Sequence, residues 1–455
     1  MSKYLASIDL GTTNLKINLF HASYEVIATL KYTHKKIVFT AERFEMNMDE
    51  IWINVYSGLK QLIAEYQIAD LEVILTTAMH SVQLLNSDYS LAGPLLSWAD
   101  KRGNERIFKM RSEQLREQYL RTGTPNHSMN PYFKLLHFQE QLSGSMRIGS
   151  LKDSLFYRLT GEWAIDVSNA SSSGLYNLSE ATWDRESLGS LGISKEQLPT
   201  IRPINYCAPA ASDLFTSKVT VYIGTSDGIS SNYVFNDLED VAVLSLGTSH
   251  AVRVIHEKGQ LNHTYQNFAY AIHPEAYLIG LPSNNGADVL AWTNKLFNSS
   301  FAELNAIILN PPETETIFLP FINGERAPIW EDTAMAHLFN LTRISTRESV
   351  LYAIILGMVF NIKQNVDQLA KLADFKAIGL VGGGTSLASL PQLIADVLGY
   401  TLYIPTMKNA ETLGSIAAVK GKTFQMEYKR VHPNENLGYT RLYEKYKETL
   451  DEQYK

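Results

Sequence analysis

The protein has 455 residues, with 40 basic and 47 acidic side chains, and its net charge at pH 7 is −7. This length predicts two large domains or about three ordinary ones. A hydrophobic content of 45% and a charged content of 19% are typical of a globular protein rather than a disordered or fibrous one. The single cysteine, Cys207, excludes an intrachain disulfide and multi-cysteine zinc sites; we expect it to be packed and inert in a reducing compartment.

The charge pattern and the apolar runs bear on partners and location. The acidic balance and the lack of a basic block argue against nucleic acid or a membrane surface as a partner. The N-terminus has no long apolar segment followed by a small-residue cleavage site. The longest apolar run, residues 350–360, is shorter than the ~20 residues of a membrane span and predicts a buried helix. We therefore expect a cytoplasmic protein whose partner is a small molecule.

A short motif occurs twice in the chain. Residues 7–17 read SIDLGTTNLKI and residues 243–253 read VLSLGTSHAVR. In each copy an apolar strand-like run leads into Leu-Gly-Thr and a second strand-like run follows, which predicts a hairpin. The copies differ where Asp9 of the first is matched by Ser245 of the second. The repeat predicts two lobes, residues 1–233 and 234–455, with the boundary in the Gly-, Ser-, Asn- and Asp-rich segment 223–240.

Further predicted elements follow in chain order. Strand-like runs occur at residues 71–76, 219–223, 377–381 and 401–404. Helix-like stretches occur at residues 105–120, 346–372, 390–398 and 440–450. Alternation of the two kinds predicts an α/β protein in which helices pack on mixed sheets.

The two predicted hairpin tips could bind phosphate. Glycine permits close approach, and backbone N–H groups and hydroxyls at a tip form a concavity suited to an anion. Two such tips facing each other across a cleft could hold the phosphate chain of a nucleotide from both sides. Asp9 adds a carboxylate of the kind that Mg²⁺ binds together with water and phosphate oxygens. The alternative is that each tip is an ordinary turn within a sheet.

Two other segments could contribute to the same chemistry. Residues 381–386, VGGGTS, lie between a predicted strand and a predicted helix, an arrangement common in nucleotide sites, although neither a Walker A loop nor G-x-G-x-x-G is present. Asp227 follows a predicted strand at the lobe boundary and could accept a proton from a hydroxyl during phosphoryl transfer. The alternative for Asp227 is an Asp-Gly turn.

A polar and aromatic stretch in the first lobe suits a polyhydroxylated ligand. Residues 78–81 read AMHS and residues 97–102 read SWADKR. An aromatic face can cover C–H surfaces, and fixed polar groups can bind hydroxyls. Taken singly, His80 and Trp98 are as well explained as structural residues.

In this order, these segments resemble the FGGY family of carbohydrate kinases, within the actin-like ATPase fold. The matching stretches run almost from end to end: residues 7–20, 76–102, 121–140, 159–178, 223–232, 241–253, 280–292, 319–330 and 379–399. The resemblance implies two actin-like (ribonuclease H-like) α/β lobes with a cleft between them. It implies ATP and Mg²⁺ as cofactors and a sugar or sugar acid as the substrate.

The resemblance also implies site residues. Asp227 would be the catalytic base and would contact the substrate, and Asp9 would organise Mg²⁺. The residues expected to hold ATP are Gly11, Thr12, Thr13, Lys16, Gly247 and Thr248 at the phosphates, and Gly286, Gly383 and Gly384 beside the adenosine. The residues expected to shape the sugar pocket are Met79, His80, Trp98, Asp100 and Arg102.

Within the family, the segments AMHS, SWADKR and RTGTPNHSMNP are most similar to those of gluconate kinases. This implies phosphorylation of gluconate to 6-phosphogluconate, with Arg102, His80 and His127 available for the substrate carboxylate. Xylulokinase or another sugar kinase of the family is the alternative. From other classes, an actin-like ATP-driven structural or chaperone protein and a catalytically silent sugar sensor stay open, as does a homodimer.

Some residues depart from the family pattern. The chain is shorter than expected, with the shortening between residues 199 and 219 and between residues 295 and 317. His137 stands where the family commonly has Trp, and Leu356 stands where it commonly has Glu. We expect these departures to change local packing rather than catalysis. Two lobes joined near Asp227 also predict closure of the cleft on ligand binding, which would exclude water.

Overall fold

The computed structural model describes residues 4–40, 42–434 and 438–454. The strands of the first lobe are β1 Tyr4–Leu10, β2 Asn14–His21, β3 Val26–Thr33, β4 Lys36–Phe39, β5 Phe44–Met46, β6 Asp70–Thr77, β7 Gln83–Leu85, β8 Leu95–Leu96, β9 Arg147–Gly149, β10 Ala164–Asp166, β11 Tyr176–Asn177, β12 Thr182–Trp183, β13 Thr200–Arg202, β14 Cys207–Pro209 and β15 Lys218–Ser226. Those of the second lobe are β16 Val241–Leu246, β17 His250–His256, β18 Phe268–His273, β19 Ala276–Ser283, β20 Ile317–Leu319, β21 His337–Phe339, β22 Ala377–Val381, β23 Thr401–Pro405 and β24 Tyr428–Val431.

The helices cover the faces of the sheets. They are α1 Met48–Glu65, α2 Asn104–Lys109, α3 Ser112–Thr122, α4 Pro131–His137, α5 Leu151–Thr160, α6 Val167–Ser171, α7 Arg185–Leu191, α8 Asp227–Tyr233, α9 Asp288–Phe297, α10 Phe301–Leu309, α11 Arg347–Leu369, α12 Leu390–Leu398, α13 Ala410–Lys420 and α14 Tyr439–Tyr454. Short 3₁₀ turns occur at Gln139–Gln141, Lys195–Gln197 and Gly383–Ser386.

The two large sheets share one topology. The first has the order β14-β15-β6-β1-β2-β3 and the second has the order β18-β19-β17-β16-β22-β23-β24. In the first, β1 pairs antiparallel with β2 and parallel with β6. In the second, β16 pairs antiparallel with β17 and parallel with β22 in the same way. The predicted pair of ribonuclease H-like α/β lobes is therefore confirmed; the predicted division after residue 233 coincides with the end of α8 and stays a prediction.

Most predicted elements are present, but two expectations are wrong. The predicted helix 105–120 is broken into α2 and α3, because Met110 and Arg111 are extended, with ψ of 147° and 144°. The break lets Ile107, Met110 and Leu115 all pack against one apolar cluster. Cys207 is exposed on β14 instead of packed.

Helix α11 is the core helix of the second lobe. It is capped by Thr346, whose side chain accepts a hydrogen bond from the Ser349 N–H group. It is long and apolar enough to cross a membrane by length and composition, but 89% of that segment is buried inside the protein, as predicted for residues 350–360. Leu356 is 2% exposed, and a Cβ atom on Gly357 would lie 2.2 Å from the carbonyl oxygen of Phe318. Leu356 is therefore part of the hydrophobic core around α11.

Helix α13 belongs to the second half of the sequence but packs on the first sheet. Thr412 Oγ1 accepts a hydrogen bond from Asn18 Nδ2 at 3.0 Å, and the hydroxyls of Thr76 and Ser415 lie 2.6 Å apart. A Cβ atom on Gly414 would lie 2.1 Å from the carbonyl oxygen of Ser230, so α13 crosses α8 in backbone contact. A shared apolar cluster joins the helix to the sheet: Leu5, Phe20, Ile74, Leu413, Ile416, Val419 and Met426.

Candidate active site

A cavity of about 370 Å³ lies between the two sheets. Both predicted hairpins reach it, because β1 and β16 are central strands that end at the cleft. Its lining includes Asp9 and Gly11 from the first hairpin, Ser245 and Gly247 from the second, and Asp227 between them. The structure thus brings Gly11 and Gly247 to the same cavity as Asp227, whereas Thr12, Thr13 and Thr248 are not among its lining residues, and their phosphate contacts stay predictions.

The first hairpin closes with a short turn whose tip is accessible. The Gly11 N–H group donates to the carbonyl oxygen of Asn14 at 3.0 Å, and Thr12 and Thr13 form the tip between β1 and β2. Asp9 is paired across the strands with Lys16. The Lys16 ammonium donates to the side-chain oxygen of Asn409, the residue before α13, and Lys16 itself does not line the cavity.

The Asp9 carboxylate lies in a negative environment. Burial, together with the charges of Asp227 and Glu411, raises the pKa of Asp9 to about 7, while the Lys16 ammonium opposes that shift. Among the described residues no three acidic, histidine or cysteine side chains are close enough to ligate one metal by themselves. The Asp9 carboxylate is of the chemical kind that a hard cation binds together with water or phosphate oxygens, and the predicted metal contact at Asp9 stays a prediction.

The second hairpin carries the opposite charge. The Gly247 N–H group donates to the Ser249 carbonyl oxygen at 2.9 Å, and the Arg253 Nη1 atom donates to Ser245 Oγ at 3.0 Å. The tip, including Thr248, is supported from behind by Gly286, whose N–H group donates to the Thr248 carbonyl oxygen at 3.0 Å. A Cβ atom on Gly286 would lie 2.5 Å from the Ser249 backbone. Gly286 therefore braces this hairpin and does not itself line the cavity.

The third glycine cluster lies behind the second hairpin. Gly382, with a φ of 101°, lines the cavity, and Gly383 and Gly384 begin the 3₁₀ turn that follows. A Cβ atom on Gly384 would lie 2.5 Å from Leu246 Cγ. The predicted nucleotide contact at Gly383 and Gly384 stays a prediction. Gly382 is the residue of this cluster that lines the cleft cavity.

A backbone irregularity places Asp227 at the cleft. Strand β15 shifts register against β6 between Tyr222 and Thr225, at Gly224, whose φ is 75°. The buried ammonium of Lys152 donates to the carbonyl oxygens of Leu75, Ile223 and Thr225 at 3.0, 2.7 and 3.0 Å. Backbone carbonyl groups inside a protein need hydrogen-bond donors, and the ammonium supplies three such bonds at the register shift. Lys152 therefore holds the strand end from which Asp227 begins α8.

Asp227 is suited to accept a proton. Its side chain is open to the cleft although protein surrounds it, and Oδ1 accepts the Gly228 N–H group at 2.8 Å. Burial raises the pKa of the Asp227 carboxyl above its ordinary value, and the positive charge of Arg253 opposes that shift. A carboxylate with a raised pKa is a stronger base than an exposed one.

Three residues of the predicted sugar stretch line the cavity: Met79, His80 and Trp98. His80 has a φ of 63°, and its Nδ1 atom lies 2.8 Å from the carbonyl oxygen of Ser172. Burial lowers the pKa of His80 to about 3, so the ring is neutral at physiological pH. His80, expected to offer a cation or a hydrogen bond to a substrate carboxylate, is thus a neutral hydrogen-bonding group, and its substrate contact stays a prediction.

Asp100 and Arg102 do not line the cavity. The Arg102 Nε and Nη2 atoms donate to the two carboxylate oxygens of Asp100 at 2.9 and 2.6 Å, and Nη2 lies 2.8 Å from Glu45 Oε1. Asp100 is fully buried and also accepts the Phe44 N–H group at 2.9 Å. The two residues form an internal ion pair that fixes the loop after Trp98, which corrects the predicted ligand contact.

His127 lies at a contact between the lobes rather than in the cavity. Its Nε2 atom is 3.0 Å from Asp332 Oδ1, and Ser128 Oγ donates to Asp332 Oδ2 at 2.8 Å. The buried Lys134 ammonium donates to the carbonyl oxygens of Ser128 and Met129 at 2.5 and 2.8 Å. These bonds hold the loop that presents Met129 to the cavity.

Sequence reasoning missed Arg326, which lines the cavity from the second lobe. Its guanidinium lies 5.0 Å from the centroid of the Trp98 ring, and Nη2 donates to the Ser283 carbonyl oxygen at 2.7 Å. The Nε atom is buried and has no hydrogen-bond acceptor in the described part of the chain. Burial lowers the pKa of Arg326 to about 10, which still leaves it charged. The segment 319–330 contained this residue, but no pattern in it assigned the arginine a role.

Family models and relatives match most of the chain. Residues 4–233 match the FGGY family of carbohydrate kinases, N-terminal domain, and residues 242–419 match its C-terminal domain. The gluconokinase of Bacillus subtilis is 28% identical over 91% of this chain and 86% of its own, and that of Bacillus licheniformis is 29% identical over the same shares.

Solved structures are similar over the whole chain. The gluconate kinase of Lactobacillus acidophilus has a TM-score of 0.90 at 26% identity, with 99% of this chain and 98% of that one covered. A ligand-bound xylulose kinase from Lactobacillus acidophilus has a TM-score of 0.89 at the same identity and coverage. With both domains matched and this architecture shared, the chain belongs to the FGGY family of carbohydrate kinases.

Proposed function

We propose that this kinase transfers the γ-phosphoryl group of ATP to the terminal hydroxyl of gluconate, giving 6-phosphogluconate. The observation that carries the substrate class is the charge of the cavity lining: the Asp227 carboxylate and the Arg326 guanidinium line the same cavity. A sugar acid has a hydroxyl to activate and a carboxylate to bind, so it is complementary to this pair. The gluconokinase names of two relatives support the same substrate.

Asp227 acts as the general base. Its carboxylate accepts the proton of the substrate hydroxyl while that oxygen forms a bond to the γ-phosphorus, and the bond from phosphorus to the bridging oxygen of ADP breaks. Phosphoryl transfer needs little covalent help from protein, but it needs in-line placement and charge neutralisation. The Lys152 contacts that fix the end of β15 support the placement.

The hairpins hold the phosphate chain. Gly11, Thr12 and Thr13 contribute donors on one side, and Gly247 and Thr248 contribute donors on the other. The Arg253 guanidinium, which is anchored on Ser245, neutralises charge that develops on the transferred group. Gly382, which lines the cavity, and the adjoining Gly383 and Gly384 border the adenosine, while Gly286 supports the second hairpin from behind.

Asp9 would hold Mg²⁺, and the charge of Glu411 acts on the same carboxylate. The mutual repulsion that raises the pKa of Asp9 supports this assignment, since a cation at that place would relieve it. A bound Mg²⁺ supplies positive charge to the phosphate oxygens.

Replacing Asp227 with Asn tests the base. The amide keeps the size of the side chain but cannot accept the proton, so we expect kcat to fall by about a thousandfold or more, roughly 4 kcal/mol. Sugar-dependent ADP release measures turnover, and calorimetry measures ATP binding, which should change little. Turnover within tenfold of the parent protein would remove Asp227 from this role.

Replacing Arg326 with Met tests the substrate class. Removing the cation should raise KM for gluconate by about a hundredfold and leave that for an uncharged ketose such as D-xylulose within a few-fold. The similarity to a xylulose kinase structure makes D-xylulose the second candidate. A parent protein that phosphorylates D-xylulose and not gluconate would overturn the gluconate assignment.

A further inference from the structure

A second concave surface lies on the outside of the first lobe, where α2, α3, α4 and α7 meet. It encloses about 430 Å³ and shares no lining residue with the cleft cavity. We call it the basic pocket. Its charged lining residues are Arg106, Lys109, Arg111, Arg121, Glu117 and Glu186. Four cations against two carboxylates give this surface the opposite charge to the chain as a whole.

Two of these cations are uncompensated. Arg121 pairs with Asp184 and Glu186, and Arg106 lies 3.8 Å from Glu105. Lys109 and Arg111 have no carboxylate within 4.0 Å among residues 4–40, 42–434 and 438–454. Arg111 also begins α3, so the positive end of a three-turn helix adds to the same field. A concave surface concentrates such a field and raises the local concentration of anions.

One residue that lines the same pocket carries a buried acceptor without a partner in the described chain. Gln118 is 2% exposed and lines the basic pocket. Its Nε2 atom donates to the Gly174 carbonyl oxygen at 3.1 Å, whereas Oε1 has no hydrogen-bond partner within the described chain. A buried acceptor without a donor is costly, so native proteins rarely keep one unless something else fills the place. A hydroxyl group of a ligand would satisfy it.

The remaining polar groups also favour a hydroxyl-rich ligand. The Tyr132 and Ser190 hydroxyls lie 2.9 Å apart on one wall, and Glu117 and Glu186 offer further acceptors. A simple inorganic anion would use the cations alone and gain nothing from the carboxylates. A ligand with phosphate at one end and hydroxyls at the other uses both sets.

We propose that the basic pocket binds a small phosphorylated sugar or polyol, with its phosphate at Lys109 and Arg111 and a hydroxyl donated to Gln118 Oε1. The site is separate from the cleft and does not depend on which sugar the cleft phosphorylates. It requires no chemical step, only binding.

Isothermal titration calorimetry on the full chain tests the proposal, with ribose 5-phosphate, ribose and inorganic phosphate as probes at fixed ionic strength. Ribose 5-phosphate should bind more tightly than either part alone. The double variant Lys109→Gln/Arg111→Gln should weaken it by at least about tenfold, since two charge-assisted hydrogen bonds are lost. Arg116→Gln removes a cation from the same helix outside the pocket and should change the dissociation constant by less than about twofold.

A second variant tests the hydroxyl contact. Gln118→Met keeps the volume of the side chain and removes the acceptor, so the preference for ribose 5-phosphate over inorganic phosphate should shrink. Circular dichroism and the unfolding temperature check that the variant is folded. Equal weakening by Lys109→Gln/Arg111→Gln and by Arg116→Gln, or phosphate binding as tight as that of ribose 5-phosphate, would overturn the proposal. Basal turnover should be unchanged in all these variants.

Discussion

The two hairpins occupy matching places in their sheets and carry opposite charge. In the first, the carboxylate of Asp9 lies at the end of β1, and its cross-strand neighbour Lys16 is bound to Asn409. In the second, Ser245 occupies the matching place and supports the guanidinium of Arg253. One hairpin thus offers a negative group to the cleft and the other a positive group.

This difference teaches how a duplicated unit can serve one reaction. A phosphate chain carries negative charge along its whole length, so a carboxylate beside it is tolerable only with a cation between them, whereas a guanidinium can contact it directly. Under the proposed mechanism, Asp9 would give the first hairpin the metal side, and Ser245 with Arg253 would give the second the direct phosphate contact. Exchanging residues between the hairpins tests whether charge alone makes them functionally different.

The largest expected effect comes from Asp9→Ser, which gives the first hairpin the residue of the second. Without the carboxylate, kcat at saturating Mg²⁺ should fall about a thousandfold, roughly 4 kcal/mol. The unfolding temperature should stay the same or rise, because a carboxylate that repels Asp227 and Glu411 is gone. Steady-state ADP release and calorimetric unfolding measure the two. Activity within tenfold of the parent protein would show that Asp9 is not the functional difference.

Each hairpin also abuts a buried histidine, His34 beside the first and His250 in the second, and this predicts a pH effect on stability. Burial lowers the pKa of His250 to about 4, so it stays neutral in the fold while the unfolded chain takes up a proton below about pH 6.5. Its stabilising contribution is complete above pH 6.5 and is lost as the pH falls towards 4, by about 3 kcal/mol in all.

Replacing His250 with Gln should therefore flatten the fall in urea midpoint between pH 6.5 and 4.5, as followed by tryptophan fluorescence. The pKa of His34 is also lowered by burial, and His34→Gln should act in the same direction. A fall as steep in His250→Gln as in the parent protein would contradict the assignment.

The reverse exchange, Ser245→Asp, should have a smaller effect. The new carboxylate would pair with Arg253 and place negative charge beside the phosphates. We expect KM for ATP to rise about ten- to thirtyfold, roughly 1.4 to 2 kcal/mol, with little change in stability. Ser245→Asn is the matched control, since it adds a similar volume without charge and should leave KM within a few-fold.

The smallest effect is expected at the glycines of the two tips. A Cβ atom would meet its nearest neighbour at 3.6 Å in Gly11 and at 3.8 Å in Gly247, so alanine fits both without a clash. Stability should change by less than about 1 kcal/mol. If phosphate lies against both tips, KM for ATP should rise about fivefold in each variant, roughly 1 kcal/mol. A rise in only one variant would show that the tips do not share the phosphates.

The sequence predicted the parts of the fold that depend on neighbouring residues. Both hairpins follow from a glycine turn between apolar runs, and α12 was predicted with its bounds because its apolar spacing is regular. The repeat, rather than any single loop, predicted two similar sheets. The helix 105–120 was predicted wrongly since its apolar residues have helical spacing on both sides of the break at Met110.

The site was harder to predict because ligand contacts and internal contacts use the same residue types. Asp100 and Arg102 read as ligand residues, but their partners are each other and the distant Phe44 and Glu45. Arg326 reaches Trp98 across more than two hundred residues of sequence, a contact that no local pattern encodes. The cytoplasmic location and the homodimer stay predictions.

The apolar cluster under α13 also bears on how the chain is made. Leu5, Phe20 and Ile74 are synthesised before Leu413 and Ile416, which cover them in the folded protein. This face of the first sheet therefore stays uncovered until helix α13 has been made. A fragment of residues 1–233 should expose that face and aggregate, although every strand of its sheet is present.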